Sequence, residues 1–112
     1  MTIDHDERRD SPRVGRPTLR MTRMGDDLRR LGTYPVLNAS SSGLLVDSSA
    51  DAGPTLAVGD ELSGMIWDTQ RAGTVPFRAR CVRAAGAGQL GLHLFWIEPR
   101  SYDVYQDLVY GD

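Results

Sequence analysis

A short polar turn between two apolar stretches is the part of this chain best suited to bind a ligand. Asn38, Ser40 and Gly43 form the pattern Asn-x-Ser-x-x-Gly. Small polar side chains in a turn can donate hydrogen bonds to phosphate oxygens or pair with the edge of a base. Gly43 lets the backbone adopt a positive φ or approach a ligand closely. The competing interpretation is a hairpin turn whose side chains bond their own backbone.

A group of arginines precedes this turn and supplies the complementary chemistry. Arg9 and Arg13 have the spacing Arg-x-x-x-Arg, and Arg8 lies next to the first of them. A guanidinium can hold a phosphate through two parallel hydrogen bonds or lie flat on a purine ring. Two such groups on a non-helical arm can do both to one ligand. The order of arm and turn on one short chain therefore predicts a site for a phosphorylated purine.

Length and composition indicate one ordinary folded domain. The chain has 112 residues, of which 40% are hydrophobic and 25% charged, enough for a modest core. Residues 1–30 hold eight of the thirteen arginines and six of the fifteen acidic residues, a local charge of +2 against −4 for the remainder. No apolar run approaches the roughly 20 residues that a membrane helix needs. We therefore expect a cytoplasmic protein with no membrane insertion, as a monomer or a weak homodimer.

The residues that catalysis or metal binding would require are sparse. The lone Cys81 has no disulfide partner, and its place in an alternating strand predicts a small buried side chain. His5 and His93 lie too far apart for metal-ligand spacing. The chain also lacks a Ser/His/Asp grouping and a glycine loop that opens a helix. We therefore expect that the protein is not an enzyme and that it binds no metal and no cofactor.

Period-two alternation and breaker residues predict six strands. They lie at residues 18–23, 33–38, 44–47, 62–68, 75–83 and 90–97, with a turn or one loose helical turn at 28–32. Six short strands at this spacing predict an all-β fold, a six-stranded antiparallel barrel that is closed or nearly so. A short C-terminal α-helix at 101–110 follows, with Ser101 as its N-cap. The expected division is a flexible arm at 1–17 and a barrel with helix at 18–112.

The alternation also predicts which side chains face the interior. In the fifth strand, Arg78, Arg80 and Arg83 lie on a face that either borders the site or simply meets solvent. Both faces of the sixth strand are largely apolar, which predicts a strand buried on both sides. On that basis His93 is expected to be partly buried; the alternative is a ligand contact. Trp67 and Trp96 are expected to pack, and tyrosines of the helix stripe to seat the helix; these are Tyr102, Tyr105 and Tyr110.

The chain resembles the PilZ domain, a bacterial receptor module for cyclic di-GMP. The resemblance covers nearly the whole chain. Residues 7–14 are similar to the family's arginine arm, and Asn38, Ser40 and Gly43 match its (Asp/Asn)-x-Ser-x-x-Gly motif. Residues 59–62, 81–83 and 90–94 are similar to its later strands. The family's fold is a six-stranded antiparallel barrel with a C-terminal helix, which agrees with the elements predicted above.

The resemblance implies a role for each matching residue. Arg9 and Arg13 would grip phosphate and stack on guanine, with the help of Arg8. Asn38 and Ser40 would hold a guanine edge and a phosphate, while Gly43 would shape the turn.

Two departures from the family pattern affect this assignment. Asn38 replaces a carboxylate that would accept from both guanine N–H donors, so the affinity is expected to be lower. The interval from Arg13 to Asn38 is slightly long, which predicts an enlarged loop around residues 24–32. Arg16 and Arg20 have the same spacing as Arg9 and Arg13 but would make the interval short. We prefer the earlier pair because Arg8 and Pro12 accompany it.

The predicted function is a cyclic di-GMP receptor or adaptor whose arm rearranges on binding and which signals to a protein partner. The alternative is a PilZ-like adaptor that binds its partner without a ligand. Nucleic-acid binding is disfavoured by the net charge of −2 and by the lack of a basic strand face lined with aromatic residues.

Overall fold

A computed structural model describes residues 12–49, 56–85 and 88–111. Within these ranges six antiparallel strands form a closed barrel in the order β1-β2-β3-β6-β5-β4, with β4 pairing back to β1. The six-stranded barrel predicted from the sequence is confirmed. The strands are β1 Leu19–Met24, β2 Arg30–Ala39, β3 Gly43–Asp47, β4 Glu61–Asp68, β5 Thr74–Ala85 and β6 Gln89–Ile97.

The connection between β1 and β2 is shorter than the sequence predicts. Residues 30–32 are already in β2, so the expected turn is present but ends before residue 30, and the alternative of a loose helical turn at 28–32 and the enlarged loop at 24–32 are wrong. The amide of Gly25 donates to the carbonyl of Arg29 over 2.7 Å, and Leu28 takes a positive φ of 64°. The Asp27 carboxylate also accepts from the Arg29 amide over 3.1 Å. These contacts close a tight turn, and the extra chain length goes into a longer hairpin.

The barrel interior is a continuous apolar core. Inward side chains come from every strand, and the largest fully buried ones are Tyr34, Tyr105, Phe77, Leu19, Met21, Leu44, Ile66 and Leu92. The predicted alternation of β5 is confirmed, because Val75, Phe77, Ala79 and Cys81 are buried while Arg78 and Arg80 are exposed. Burial raises the pKa of the Cys81 thiol, as expected of a small core residue.

Irregular pairing in β6 overturns the prediction that both of its faces are buried. The ladder joins Leu94 to Ala79 but Trp96 to Arg78, so Phe95 is an extra residue in a β-bulge. A bulge reverses the alternation beyond it, which turns Trp96 outward instead of leaving it on the face of Leu94. Trp96 is therefore not a packing residue. His93 precedes the bulge, between buried Leu92 and Leu94, and is exposed rather than partly buried.

A single helix follows the barrel. After a 3₁₀ turn at Pro99–Ser101, α1 spans Tyr102–Tyr110 and buries Tyr105, Leu108 and Val109 in the barrel core. Ser101 is the N-cap residue, but its side chain makes no capping bond and donates to the Glu98 carboxylate over 3.0 Å. Tyr102 is exposed, so it does not seat the helix as expected.

Candidate ligand site at the β2–β3 turn

Residues 12–17, at the end of the predicted arm, lie against the barrel beside the polar turn. Val14 and Ala39 exchange two backbone hydrogen bonds, each 2.9 Å long, in an isolated antiparallel bridge. Because the bridge fixes the register of this segment, it places Arg13 directly over the end of β2. Arg8 and Arg9 lie outside the described residues, so their assignment stays a prediction.

Arg13 meets the first residue of the polar motif. Its Nη1 donates a hydrogen bond to Asn38 Oδ1 over 2.9 Å. A second bulge makes this contact possible, since Val36 pairs with Val46 but Asn38 pairs with Leu45, which leaves Leu37 as an extra residue. Regular alternation from buried Val36 would have pointed Asn38 inward. The bulge turns it outward toward the arm.

Gly43 is favoured by the close approach of its neighbours and not by an unusual φ. It is absent from the described glycines with positive φ. A Cβ at this position would lie 3.0 Å from Arg13 Nη2, 3.2 Å from the Leu92 carbonyl oxygen and 3.6 Å from Ser40 Oγ. The guanidinium of Arg13 therefore fits over the glycine because no side chain is present there.

Ser40 lies at the base of the turn and is only 6% exposed. Its amide donates to the Gly43 carbonyl over 2.9 Å, and its Oγ accepts a long hydrogen bond of 3.4 Å from the Ser42 amide. The Leu94 amide donates to the Ser42 carbonyl over 2.8 Å. The turn is thus fixed from both ends.

The C-terminal helix supports the site through two tyrosines whose hydroxyl partners the sequence does not indicate. Tyr105 donates to the Ser40 carbonyl over 2.5 Å, and Tyr110 donates to the Pro12 carbonyl over 2.9 Å. Burial raises the pKa of the Tyr105 hydroxyl far above its ordinary range, so it remains a donor. Helical spacing predicts that such tyrosines pack, but it cannot identify a carbonyl 65 residues away.

The side chains of the competing pair, Arg16 and Arg20, bind backbone carbonyls outside the polar turn. Arg16 donates through Nε to the Val109 carbonyl over 2.7 Å and through Nη2 to the Gly111 carbonyl. It therefore binds the carbonyl end of α1, where a cation is favourable. Arg20 donates to the carbonyls of Pro17 and Leu19 over 2.7 and 2.9 Å.

The neighbouring strands place the remaining candidates around the turn. Gly43 pairs with His93 across β3 and β6, and His93 pairs with Arg80 across β6 and β5. Arg80 also forms an ion pair with Glu61. Arg83 pairs with Gly91, and its Nε lies 3.4 Å from where a Cβ of that glycine would be. His93 is thus next to the turn, and the arginines follow further round the barrel.

Concave surfaces are found away from this cluster. A groove of about 580 Å³ lies on the outer side of β1 and β4, where the Trp67 indole donates to the Thr22 hydroxyl over 2.9 Å. A second, of about 420 Å³, lies between the β1–β2 turn and Arg78. Neither groove contains Arg13 or Asn38.

Two general features can be stated for the described part of the chain. None of its helices is both long enough and apolar enough to cross a membrane. Its His, Cys, Asp and Glu side chains form no group of three that could hold a metal ion.

Comparison with solved structures supports the fold. The chain is similar to the inhibitor of motility MotI/DgrA of Bacillus subtilis, with a TM-score of 0.63 and 15% sequence identity. The match covers 91% of this chain and 49% of that one, so the chain spans about half the length of the protein it matches. No family model and no curated protein matches the sequence. The closed six-stranded barrel with a short C-terminal helix is a PilZ-like fold.

Proposed function

We propose that this chain is a non-enzymatic receptor for cyclic di-GMP that signals to a protein partner through its N-terminal arm. One observation carries the proposal. Arg13 is hydrogen-bonded to Asn38 and lies against Gly43, so the arginine arm and the polar turn meet although 25 residues separate Arg13 from Asn38. A PilZ-like barrel is the setting in which the motif resemblance assigns this combination to cyclic di-GMP.

The chemistry of the cluster suits a phosphorylated guanine. A guanidinium can bind a phosphate through two parallel N–H donors and can stack on a purine. Asn38 offers an amide oxygen to guanine N–H donors and an NH₂ to guanine acceptors. Arg13 occupies the Asn38 oxygen with its own hydrogen bond, so the ligand has to share or displace that bond.

Ligand binding at Arg13 would be transmitted to the helix. Pro12 and Val14, on either side of Arg13, are bound to Tyr110 of α1 and to Ala39 of β2. A ligand that draws Arg13 onto its phosphates shifts the arm, provided that it binds the shifted arrangement more tightly. The positions of the arm and of the helix end would then differ between the free and the ligand-bound protein.

Isothermal titration calorimetry of the purified chain with cyclic di-GMP tests the proposal. We expect saturable binding that Arg13→Ala and Arg9→Ala each weaken by about tenfold or more, the loss of one charge-assisted contact. Arg20→Ala is the matched control and should bind normally, because the hydrogen bonds of Arg20 within the described residues go to the Pro17 and Leu19 carbonyls and not to the polar turn. Cyclic di-AMP tests selectivity for guanine. Absence of heat at high ligand concentration, or wild-type affinity in Arg13→Ala, would contradict the proposal.

A ligand-independent adaptor is the second candidate, and the same contact favours it. Arg13 and Asn38 satisfy one another, so the cluster is complete as a purely structural contact between arm and barrel. In that case Arg13→Ala should lower the stability of the fold, and partner binding should not change with cyclic di-GMP. Unchanged stability together with lost nucleotide binding would exclude the adaptor.

A further inference from the structure

We propose that the outer face of the β5–β6 hairpin is a docking surface for an acidic protein segment that also carries apolar side chains. We call it the aromatic–arginine face and define it by Arg78, Arg80, His93, Phe95 and Trp96. The proposal deepens the proposed function, because it states where the protein partner binds.

Exposed aromatic side chains are the first observation. Phe95 is 44% exposed and Trp96 is 42% exposed, and both lie at the β6 bulge. The Arg78 guanidinium carbon lies 5.8 Å from the centre of the Phe95 ring, a distance at which cation and ring attract. Trp and Arg are the residue types that contribute most to binding at protein interfaces. A rigid strand also presents them without the entropy loss of ordering a loop.

Charge is the second observation, and it is independent of the first. The two strands contain three arginines and one histidine but no acidic residue. The rest of the chain then holds ten arginines and fifteen acidic residues, a formal net charge of −5. Among the described residues, Arg80 pairs with Glu61, while Arg78 has its contact with the Phe95 ring. A cationic, aromatic patch on an acidic molecule complements a partner with carboxylates.

The face corrects one expectation from the sequence, namely that no basic strand face lined with aromatic residues exists. A polyanion is still the less favourable occupant, because the chain is net acidic and long-range repulsion opposes nucleic acid. A second copy is also less favourable. A cationic face cannot pair with itself, so in a second copy it would have to contact a different, acidic surface. Such head-to-tail contacts form rings or open filaments and not the common two-fold dimer.

The position of the face connects it with the candidate ligand site. His93 pairs with Gly43 of the polar turn on one side and with Arg80 on the other. A bound ligand and a docked partner would therefore be neighbours on the barrel wall.

A defined probe can test the docking surface without knowledge of the natural partner. A phage-displayed library of random 12-residue peptides is selected against the full chain, and the best binder is synthesised and titrated while amide NMR shifts are followed. We expect selected peptides to combine Asp or Glu with aromatic or aliphatic residues and to shift amides of β5 and β6. Trp96→Ala and Arg78→Glu should each weaken the peptide about tenfold or more.

Matched controls come from the β1–β2 turn. Leu28→Ala removes an apolar side chain that is 80% exposed, and Arg29→Glu reverses an exposed arginine; neither should change peptide affinity. Trp96→Ala should keep the amide NMR spectrum of the wild type outside β5 and β6, which shows that it folds, and it should keep the wild-type affinity for cyclic di-GMP. If the wild-type chain binds the peptide but not cyclic di-GMP, the proposed function alone is overturned. If it binds cyclic di-GMP but no selected peptide, the docking surface alone is overturned.

Four other outcomes also overturn the docking surface. They are peptides that bind elsewhere on the barrel, selected peptides without acidic residues, tighter binding of oligo-dT through Trp96, and self-association in sedimentation that Trp96→Ala abolishes. The third would assign the face to single-stranded nucleic acid, and the fourth to a second copy of the chain.

Discussion

The Tyr105 hydroxyl donates a hydrogen bond to the carbonyl oxygen of Ser40 over 2.5 Å, and the Tyr105 side chain is completely buried. This contact joins the C-terminal helix to the polar turn from inside the barrel. Arg13 reaches the same turn from outside by its hydrogen bond to Asn38. The polar turn is therefore held between the helix and the arm. A substitution that displaces the turn, the helix or the arm should affect the other two.

Tyr105→Phe should destabilise the fold. It leaves the buried Ser40 carbonyl without its donor, which costs about 1–3 kcal/mol. Urea unfolding measures this loss, and Tyr102→Phe is the control because Tyr102 is exposed on the same helix. Equal unfolding free energies for Tyr105→Phe and wild type would mean that the turn does not depend on the helix.

Gly43→Ala should weaken cyclic di-GMP binding more than it weakens the fold. The new methyl group would lie 3.0 Å from Arg13 Nη2 and 3.2 Å from the Leu92 carbonyl oxygen, which displaces the flexible guanidinium first. Calorimetry should give an affinity lower by about tenfold, equivalent to one lost contact. Gly15→Ala is the control, since its nearest neighbour would be 3.9 Å away. Equal effects of the two substitutions would remove Gly43 from the site.

Arg16→Ala should loosen the end of the helix without abolishing ligand binding. Arg16 binds the carbonyls of Val109 and Gly111, and carbonyls at the end of a helix have no intrahelical partner. Amide hydrogen exchange should become faster by about tenfold in the last turn of α1, as a loss of about 1.4 kcal/mol predicts. Arg20→Ala should leave exchange there unchanged. If Arg16→Ala abolished cyclic di-GMP binding while the helix stayed protected, Arg16 would be the operative arginine.

Asp68 should make stability depend on acidity. Burial opposes its ionisation, but the Gln70 amide, the Thr18 hydroxyl and the charge of Arg71 together lower its pKa. A folded pKa below the unfolded value of about 3.9 stabilises the fold above that pH, and the contribution is lost as pH falls through the folded pKa. Asp68→Asn should therefore be less stable than wild type at neutral pH, with the difference shrinking in acid. Urea unfolding at several pH values measures it, and a difference that is constant with pH would contradict it; Asp26→Asn, at an exposed position, is the control.

The sequence determined the number of strands and their approximate positions along the chain, because alternating apolar residues bury one face of a strand wherever it lies in the barrel. The pattern of β5 and the core position of Cys81 follow from this local rule alone. The residues of the polar turn and of the arginine arm are likewise visible in the sequence, since their chemistry depends on residue type and spacing.

Only the tertiary structure decided which side chains face outward at the site and on the aromatic–arginine face. The bulge at Leu37 turns Asn38 toward Arg13, and the bulge at Phe95 turns Trp96 to the surface. A bulge arises from the register of two paired strands, so the residues of one strand do not reveal it. Likewise, the bridge between Val14 and Ala39 selects Arg13 over Arg16 as the arginine beside the turn, because pairing between distant segments is fixed only when the barrel closes.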